Sequence, residues 1–558
     1  MIKKSFGILS VCFFLFIPLF HYVYAQSAGL SRPKLVVGIV VDQMRWDYLY
    51  RYYDRYGAGG FKRLLRDGFS CENTLINYLP SYTAVGHTVI FSGSVPAIDG
   101  IVGNDWIEQS TGEHRYCTED HSVKTVGAKG DAGEMSPHNM LVSTVTDELR
   151  LATNFRSRVV GVSLKDRAAI LPAGHTANAA FWFDDASARF ITSTYYMQDL
   201  PEWAQKFNAK DEPGKLIAHG WNTLFLLNTY VQSSADNVSW EGAYKGESAP
   251  VFPHAVDQVY LKNHGVIRST PFGNTLTLHF AEAAIAGYSL GQGKATDFLT
   301  INCASTDYVG HQFGPNSIEV EDTYLRLDKD LASFFQFLDQ KVGKGNYLVF
   351  LTADHGAAHA IGFMKAHHIP ADLLQESAII KQLNDTLDQQ FGVEKLVLSG
   401  MNYHINYDMK KMEDHHLDYE AVKKATVYFL RKQPGVQYAV DIDHIGEAPV
   451  PEPVKTMIIN GYNRKRCGPV IIIPDPGWFS GYGATGTTHG NWNPFDTHIP
   501  LIFMGWGIHH GVSNRTIHMT DIAPTVAALL HIQMPDGSTG SPIMEITDNR
   551  SSLVHKQR

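Results

Sequence analysis

The chain has 558 residues, 44% of them hydrophobic and 18% charged, with a formal net charge of −9. That is ordinary globular composition in a chain long enough for several domains. A mild acidic excess argues against a nucleic-acid-binding surface, and with no Cys-x-x-Cys spacing any metal here takes oxygen and nitrogen donors.

The N-terminus stands apart. Lys3 and Lys4 precede an apolar run from Phe6 to Phe20, and Val23-Tyr24-Ala25 offers a cut. Residues 1–25 therefore read as a secretory signal peptide, which places the mature chain, 26–558, in the periplasm or outside the cell. His21 and Tyr22 interrupt the run before it is long enough for an anchor, so no membrane span is expected after cleavage. Losing Lys3 and Lys4 takes the formal charge from −9 to −11. Cys71, Cys117, Cys303 and Cys467 remain; export permits disulfides, in any of three pairings.

Lys34 to Val41 is a continuous apolar strand ending at Asp42. Residues 60–69 read as a short helix closed by Gly68. Pro80 and Ser81 suit the start of a helix running to Gly93, with Thr83 in its first turn. A strand at 159–164 runs into Lys165-Asp166-Arg167. Residues 178–290 turn aromatic and irregular and read as an insertion, helical from 275. The strand Asp297 to Cys303 leads to Asp307-Tyr308-Val309-Gly310-His311, and a long helix follows from Glu319 to Val342. The strand Tyr347 to Thr352 runs into Asp354-His355-Gly356, where glycine permits a sharp turn. Residues 360–465 read as a second insertion, after which Val470 to Pro474 is expected to rejoin the sheet. Thr487-Thr488-His489-Gly490 forms a loop, Ile499 to Phe503 a last strand, and 519–531 a closing helix. Strands alternating with helices predict an α/β fold: a mainly parallel, doubly wound central sheet flanked by helices.

Four strand ends thus carry ligand-type groups: Asp42; Asp307 with His311; Asp354 with His355; and His489. A doubly wound sheet brings strand ends to one crevice. Three carboxylates and three imidazoles together repel one another unless cations neutralise them. Six mixed donors suit two zinc ions, though manganese or cobalt accept similar ligands. Metals about 4 Å apart clamp both oxygens of a phosphoryl displacement. Thr83, at a helix N-terminus that welcomes phosphate, is placed to be the nucleophile. Lys165 and Arg167 suit the non-bridging oxygens, and Asn104 can add a neutral hydrogen bond. Blander readings make Thr83 an N-cap, Lys165 and Arg167 surface partners of Asp166, and Asn104 a turn residue. His87 reads as helix packing, and His367-His368, His415-His416 and His509-His510 as surface histidines.

Val41-Asp42-Gln43, Pro80-Ser81-Tyr82-Thr83-Ala84-Val85-Gly86-His87-Thr88, Gly103-Asn104, Lys165-Asp166-Arg167, Asp307 to His311, Asp354-His355-Gly356 and Thr488-His489-Gly490 occur in this order from 41 to 490. Together they resemble the alkaline phosphatase superfamily, most closely its single-chain, threonine-nucleophile bacterial branch. The resemblance implies two zinc ions per chain, one held by Asp307, His311 and His489, the other by Asp42, Asp354 and His355 with Thr83 bridging to it. It implies that Thr83 becomes phosphorylated, that Asn104, Lys165 and Arg167 hold the phosphoryl oxygens, and that a monomer hydrolyses phosphate monoesters to inorganic phosphate. No acidic triad matching a third, magnesium site is present. A phosphodiesterase or nucleotide pyrophosphatase of the same fold is the alternative. It shares the metals but would place apolar groups where Lys165 and Arg167 stand. Relatives acting on phosphonoacetate share the fold too. A sulfatase needs a Cys/Ser-x-Pro-x-Arg segment, which Tyr82-Thr83-Ala84-Val85 does not supply. A metal-storage protein would have no use for Thr83, Asn104, Lys165 and Arg167.

Overall fold

The computed structural model describes residues 30–481 and 485–548; the expected signal segment, 1–25, lies outside them. Strand β1 (Leu35–Val41) is buried at every residue, as a β-branched run covered on both faces must be. Next come helix α1 (Thr83–Ser92), a hairpin of β2 (Asp105–Ile107) and β3 (His114–Tyr116), then β4 (Val159–Val162) and α2 (Asp166–Ala173). β5 (Ala179–Asp184) and β6 (Arg189–Ser193) follow. β7 (Asp297–Cys303) leads into α3 (Ser305–Phe313) and α4 (Ile318–Leu338), and β8 (Tyr347–Thr352) and β9 (Leu501–Gly505) complete the frame.

Among the described residues the central sheet has ten strands, in the order Gly511–Ser513, Phe69–Cys71, β9, β8, β1, β7, β4, β5, β6, Thr125–Val126. The middle five, β8 to β5, are parallel. β9 runs antiparallel to β8, and β6 antiparallel to β5, so the sheet is mixed, with parallel strands at its heart. Val41 is level with Cys303, and Val40 with Thr352. That register sets the chain segments leaving β1, β7 and β8 side by side at one edge.

Three details differ from expectation. β5 and β6, inside the stretch read as irregular from 178, are strands of the central sheet. Val470–Pro474 does not rejoin that sheet. It pairs antiparallel with His404–Tyr407 and Val436–Asp441 in a separate four-stranded sheet, over a core including Leu383, Val422, Leu430 and Ile458. An apolar run specifies burial on both faces, not the sheet that provides it. Gly356 makes no positive-φ turn; a Cβ there would instead meet the carbonyl oxygen of Phe495. The four described cysteines are buried and free. No described helix is long and apolar enough to cross a membrane.

Candidate active site

Tyr82 is extended (φ −111°, ψ 160°) and is the N-cap of α1, which makes Thr83 the first helical residue rather than the cap. Thr83 is buried, with Oγ1 3.4 Å from His355 Nε2. One turn on, Gly86 lets the helix press against the loop after β8: a Cβ there would lie 2.7 Å from Asp354 Cβ and 2.8 Å from its Cα. A close approach of backbone to backbone requires glycine.

Asp42, Asp307, Asp354, His355 and His489 are all buried, and His311, on α3 one turn after Asp307, is half-buried. Ligand atoms of Asp42, Asp354 and His355 lie within 4.8 Å of one another, as do those of Asp307, His355 and His489. His355 is therefore common to both groups, its ring stacked on His489 at 3.4 Å between centroids. His311 stands outside these compact groups but places Nε2 3.0 Å from Asp307 Oδ1.

The backbone decides which nitrogen each imidazole presents. His311, His355 and His489 each set Nδ1 against a carbonyl oxygen, of Thr487 (2.8 Å), Gly356 (3.0 Å) and Ser81 (2.8 Å). A carbonyl only accepts, so Nδ1 carries a proton and Nε2 is turned to the acids, where it offers a lone pair once a cation stands in place of its proton. Asp42 Oδ1 and Asp354 Oδ2 are buried without a hydrogen-bond partner. Lone pairs facing orphaned carboxylate oxygens are the donor set of a cation, and its nitrogen–oxygen character fits zinc.

Burial raises Asp42 well above the usual carboxylate range; Asp354 adds to this and Lys165 opposes it. Burial pushes Asp307 the same way, but His311 and Lys165 outweigh it and hold it well below that range. Asp354 also ends low against its burial, through His355 and His87. Burial lowers His355, and it lowers His489 further with help from the His355 ring.

The three residues expected to meet phosphate oxygens are placed differently from one another. Asn104 accepts a hydrogen bond from Ala84 N at 3.0 Å through Oδ1, which leaves its amide NH2 to donate beside Thr83. Lys165 Nζ lies 2.8 Å from Asp42 Oδ2 and 2.7 Å from Asp307 Oδ2, so its ammonium is shared between the carboxylates. Arg167 donates from Nη1 to the Tyr116 hydroxyl at 3.1 Å. It does not pair with Asp166, whose oxygens accept from Tyr116 and Thr118. The histidine pairs at 367, 415 and 509 are exposed and apart from this site.

Residues 36–496 match the family model of type I phosphodiesterases and nucleotide pyrophosphatases. The chain belongs to that family, within the alkaline phosphatase superfamily. Alkaline phosphatase PafA of Elizabethkingia meningoseptica is 56% identical over 93% of this chain and 96% of its own length. A Myroides odoratus protein named calcium-transporting ATPase is 51% identical over 97% and 99%. Alkaline phosphatase PhoV of Synechococcus elongatus is 53% identical over 94% of each chain. A crystal structure of wild-type PafA superimposes with a TM-score of 0.92, covering 93% of this chain and all of that one.

The superfamily motifs account for the ligand-type residues but not for what orients them. Gln43, held at φ 62°, donates from its backbone N to Asp354 Oδ1 (3.2 Å) and from Nε2 to Asp307 Oδ1 (2.7 Å), tying the two groups together. Asn302 donates to Asp42 Oδ2 at 3.3 Å. His87 sets Nδ1 2.9 Å from Thr83 O and 3.4 Å from Asp354 Oδ2, so a residue read as helix packing also faces a carboxylate. Gln43 and His87 lie inside the motif segments Val41-Asp42-Gln43 and Pro80 to Thr88, which is the signal that points to them; Asn302 carries none.

Proposed function

We propose that this chain is an exported alkaline phosphatase, a hydrolase of phosphate monoesters that releases inorganic phosphate through a phosphothreonine at Thr83. The carrying observation is the Thr83 hydroxyl at the first position of α1, 3.4 Å from an imidazole that belongs to both candidate metal groups. The PafA and PhoV relatives, at 56% and 53% identity, bear alkaline phosphatase names. Asp307, His311 and His489 would hold one zinc ion, and Asp42, Asp354 and His355 with Thr83 a second; bound there, they would supply Lewis-acid charge. Export rests on Lys3, Lys4 and the apolar run to Phe20.

The chain's own residues do the rest. The N-terminal amides of α1 and the Asn104 NH2 receive phosphoryl oxygens next to Thr83. Arg167 offers a planar fork to the other oxygens, and Lys165 adds a compact positive charge close by. Thr83 Oγ bonds to phosphorus as its proton leaves to solvent; the ester P–O bond breaks, and the departing alcohol oxygen takes up a proton. Water oxygen then bonds to phosphorus, the P–Oγ bond breaks, and Thr83 regains its proton as phosphate departs.

The family description favours one second reading, a phosphodiesterase. A monoester carries charge where a diester carries a substituent, so the Lys165→Ala/Arg167→Ala variant separates them. Monoester turnover is expected to fall far more than diester turnover. Equal losses, measured on matched substrates, would remove monoester specificity from these residues, and a wild-type preference for the diester would promote the second reading. The ATPase half of the Myroides relative's name denotes phosphoryl transfer to water from an anhydride, the same reaction class as the ester hydrolysis proposed here.

A further inference from the structure

Arg167 follows Asp166 in the chain, yet the two side chains point to different partners. Tyr116, at the end of β3, stands between them. Its hydroxyl donates to Asp166 Oδ1 at 2.9 Å and accepts from Arg167 Nη1 at 3.1 Å. Thr118 Oγ1 takes the other oxygen, Asp166 Oδ2, at 2.6 Å. A phenol has one proton to donate and lone pairs to accept with, so this arrangement uses it in both directions. Among the described residues, Arg167 Nε is buried without a partner, and the Tyr116 hydroxyl is the acceptor that meets the guanidinium at Nη1.

The same hairpin also places Asn104. Asp105 of β2 lies opposite Tyr116 of β3, and Cys117 N donates to Asn104 O at 2.8 Å. Asn104 in turn accepts from Ala84 N at the start of α1, while Asp166 opens α2. One hairpin therefore spans the N-termini of two helices, one carrying Thr83 and the other Arg167.

We propose that Tyr116 is a positioning residue for phosphoryl recognition: with Asp166 and Thr118 it holds the Arg167 guanidinium apart from Asp166 and turned to the transferred group. This rests on the phosphate-oxygen role given to Arg167 above. Without the hydroxyl, Arg167 collapses onto its neighbouring carboxylate and its fork is lost to substrate. Partners that orient a functional side chain carry effects of roughly 10–100-fold.

The test is a double-mutant cycle on the metal-loaded protein. Tyr116→Phe is expected to lower kcat/KM for a phosphate monoester by roughly 10–100-fold, to weaken inhibition by inorganic phosphate in parallel, and to change diester turnover little. In an Arg167→Ala background it is expected to add nothing. Asp166→Asn, which spares the aromatic ring, is expected to show a smaller loss of the same kind, and it carries the test if Tyr116→Phe does not fold. Losses that add fully across the cycle, or that fall equally on monoester and diester, overturn the proposal. So does wild-type monoester turnover in both Tyr116→Phe and Asp166→Asn alongside an impaired Arg167→Ala. Unimpaired monoester turnover in Arg167→Ala would instead overturn the role of Arg167 itself.

Discussion

The nucleophilic role proposed for Thr83 rests on its place rather than on its residue type. As the first residue of α1 its hydroxyl is not spent on capping, and it is 3.4 Å from the His355 nitrogen that faces the acids. Thr83→Ala removes that oxygen without touching the carboxylates or imidazoles. Turnover is expected to fall by on the order of 10³-fold or more, with the bound metal retained. Acid quenching followed by mass spectrometry is expected to find phosphate on Thr83 in the wild type. Full activity in the alanine variant would sink the proposed intermediate. Lys165 shows the converse. A sequence suggests a lysine for phosphate, but the fold shares its ammonium between Asp42 and Asp307, where it offsets carboxylate repulsion.

Elements succeed here by how closely they approach one another. α1 presents Gly86 to the Asp354 loop, where an added methyl would sit 2.7 Å from Asp354 Cβ and 2.8 Å from its Cα. Gly86→Ala is expected to cost about 1–3 kcal/mol of stability by overpacking. It also pushes Asp354 from its place, so Tm and zinc affinity should fall together; a variant with wild-type values of both would show that the contact is soft. α3 works by spacing: Asp307 and His311, four residues apart on a helix, share one face, and their side chains meet at 3.0 Å.

At the scale of the whole molecule, the site gathers segments from residue 42 to residue 489 and buries three carboxylates with a single ammonium among them. Such an array is costly unless cations offset it. Chelation is therefore expected to lower Tm as well as to abolish hydrolysis, because a ligand bound only by the folded state stabilises it. Added zinc should restore both, saturating at two ions per chain by elemental analysis. Unchanged melting and activity after complete metal removal would overturn the two-metal reading.

Much of the fold and of the site is legible in the sequence by itself. Apolar runs ending in Asp42 and in Asp354-His355 announce strands with ligand-type residues at their ends, and Gly93 marks where α1 stops, whereas α1 begins at Thr83, three residues after Pro80. These are local signals, carried by side-chain period and by adjacency. The tertiary structure alone decides which sheet Val470–Pro474 joins, that Gly356 serves a close approach, that Gln43 ties two acid groups together, and that Tyr116 stands between Asp166 and Arg167. Each of these depends on a partner far away in the chain, chosen by packing and register. A sequence shows that a residue is apolar, polar or charged, but its partner is set only when the whole chain has closed around it.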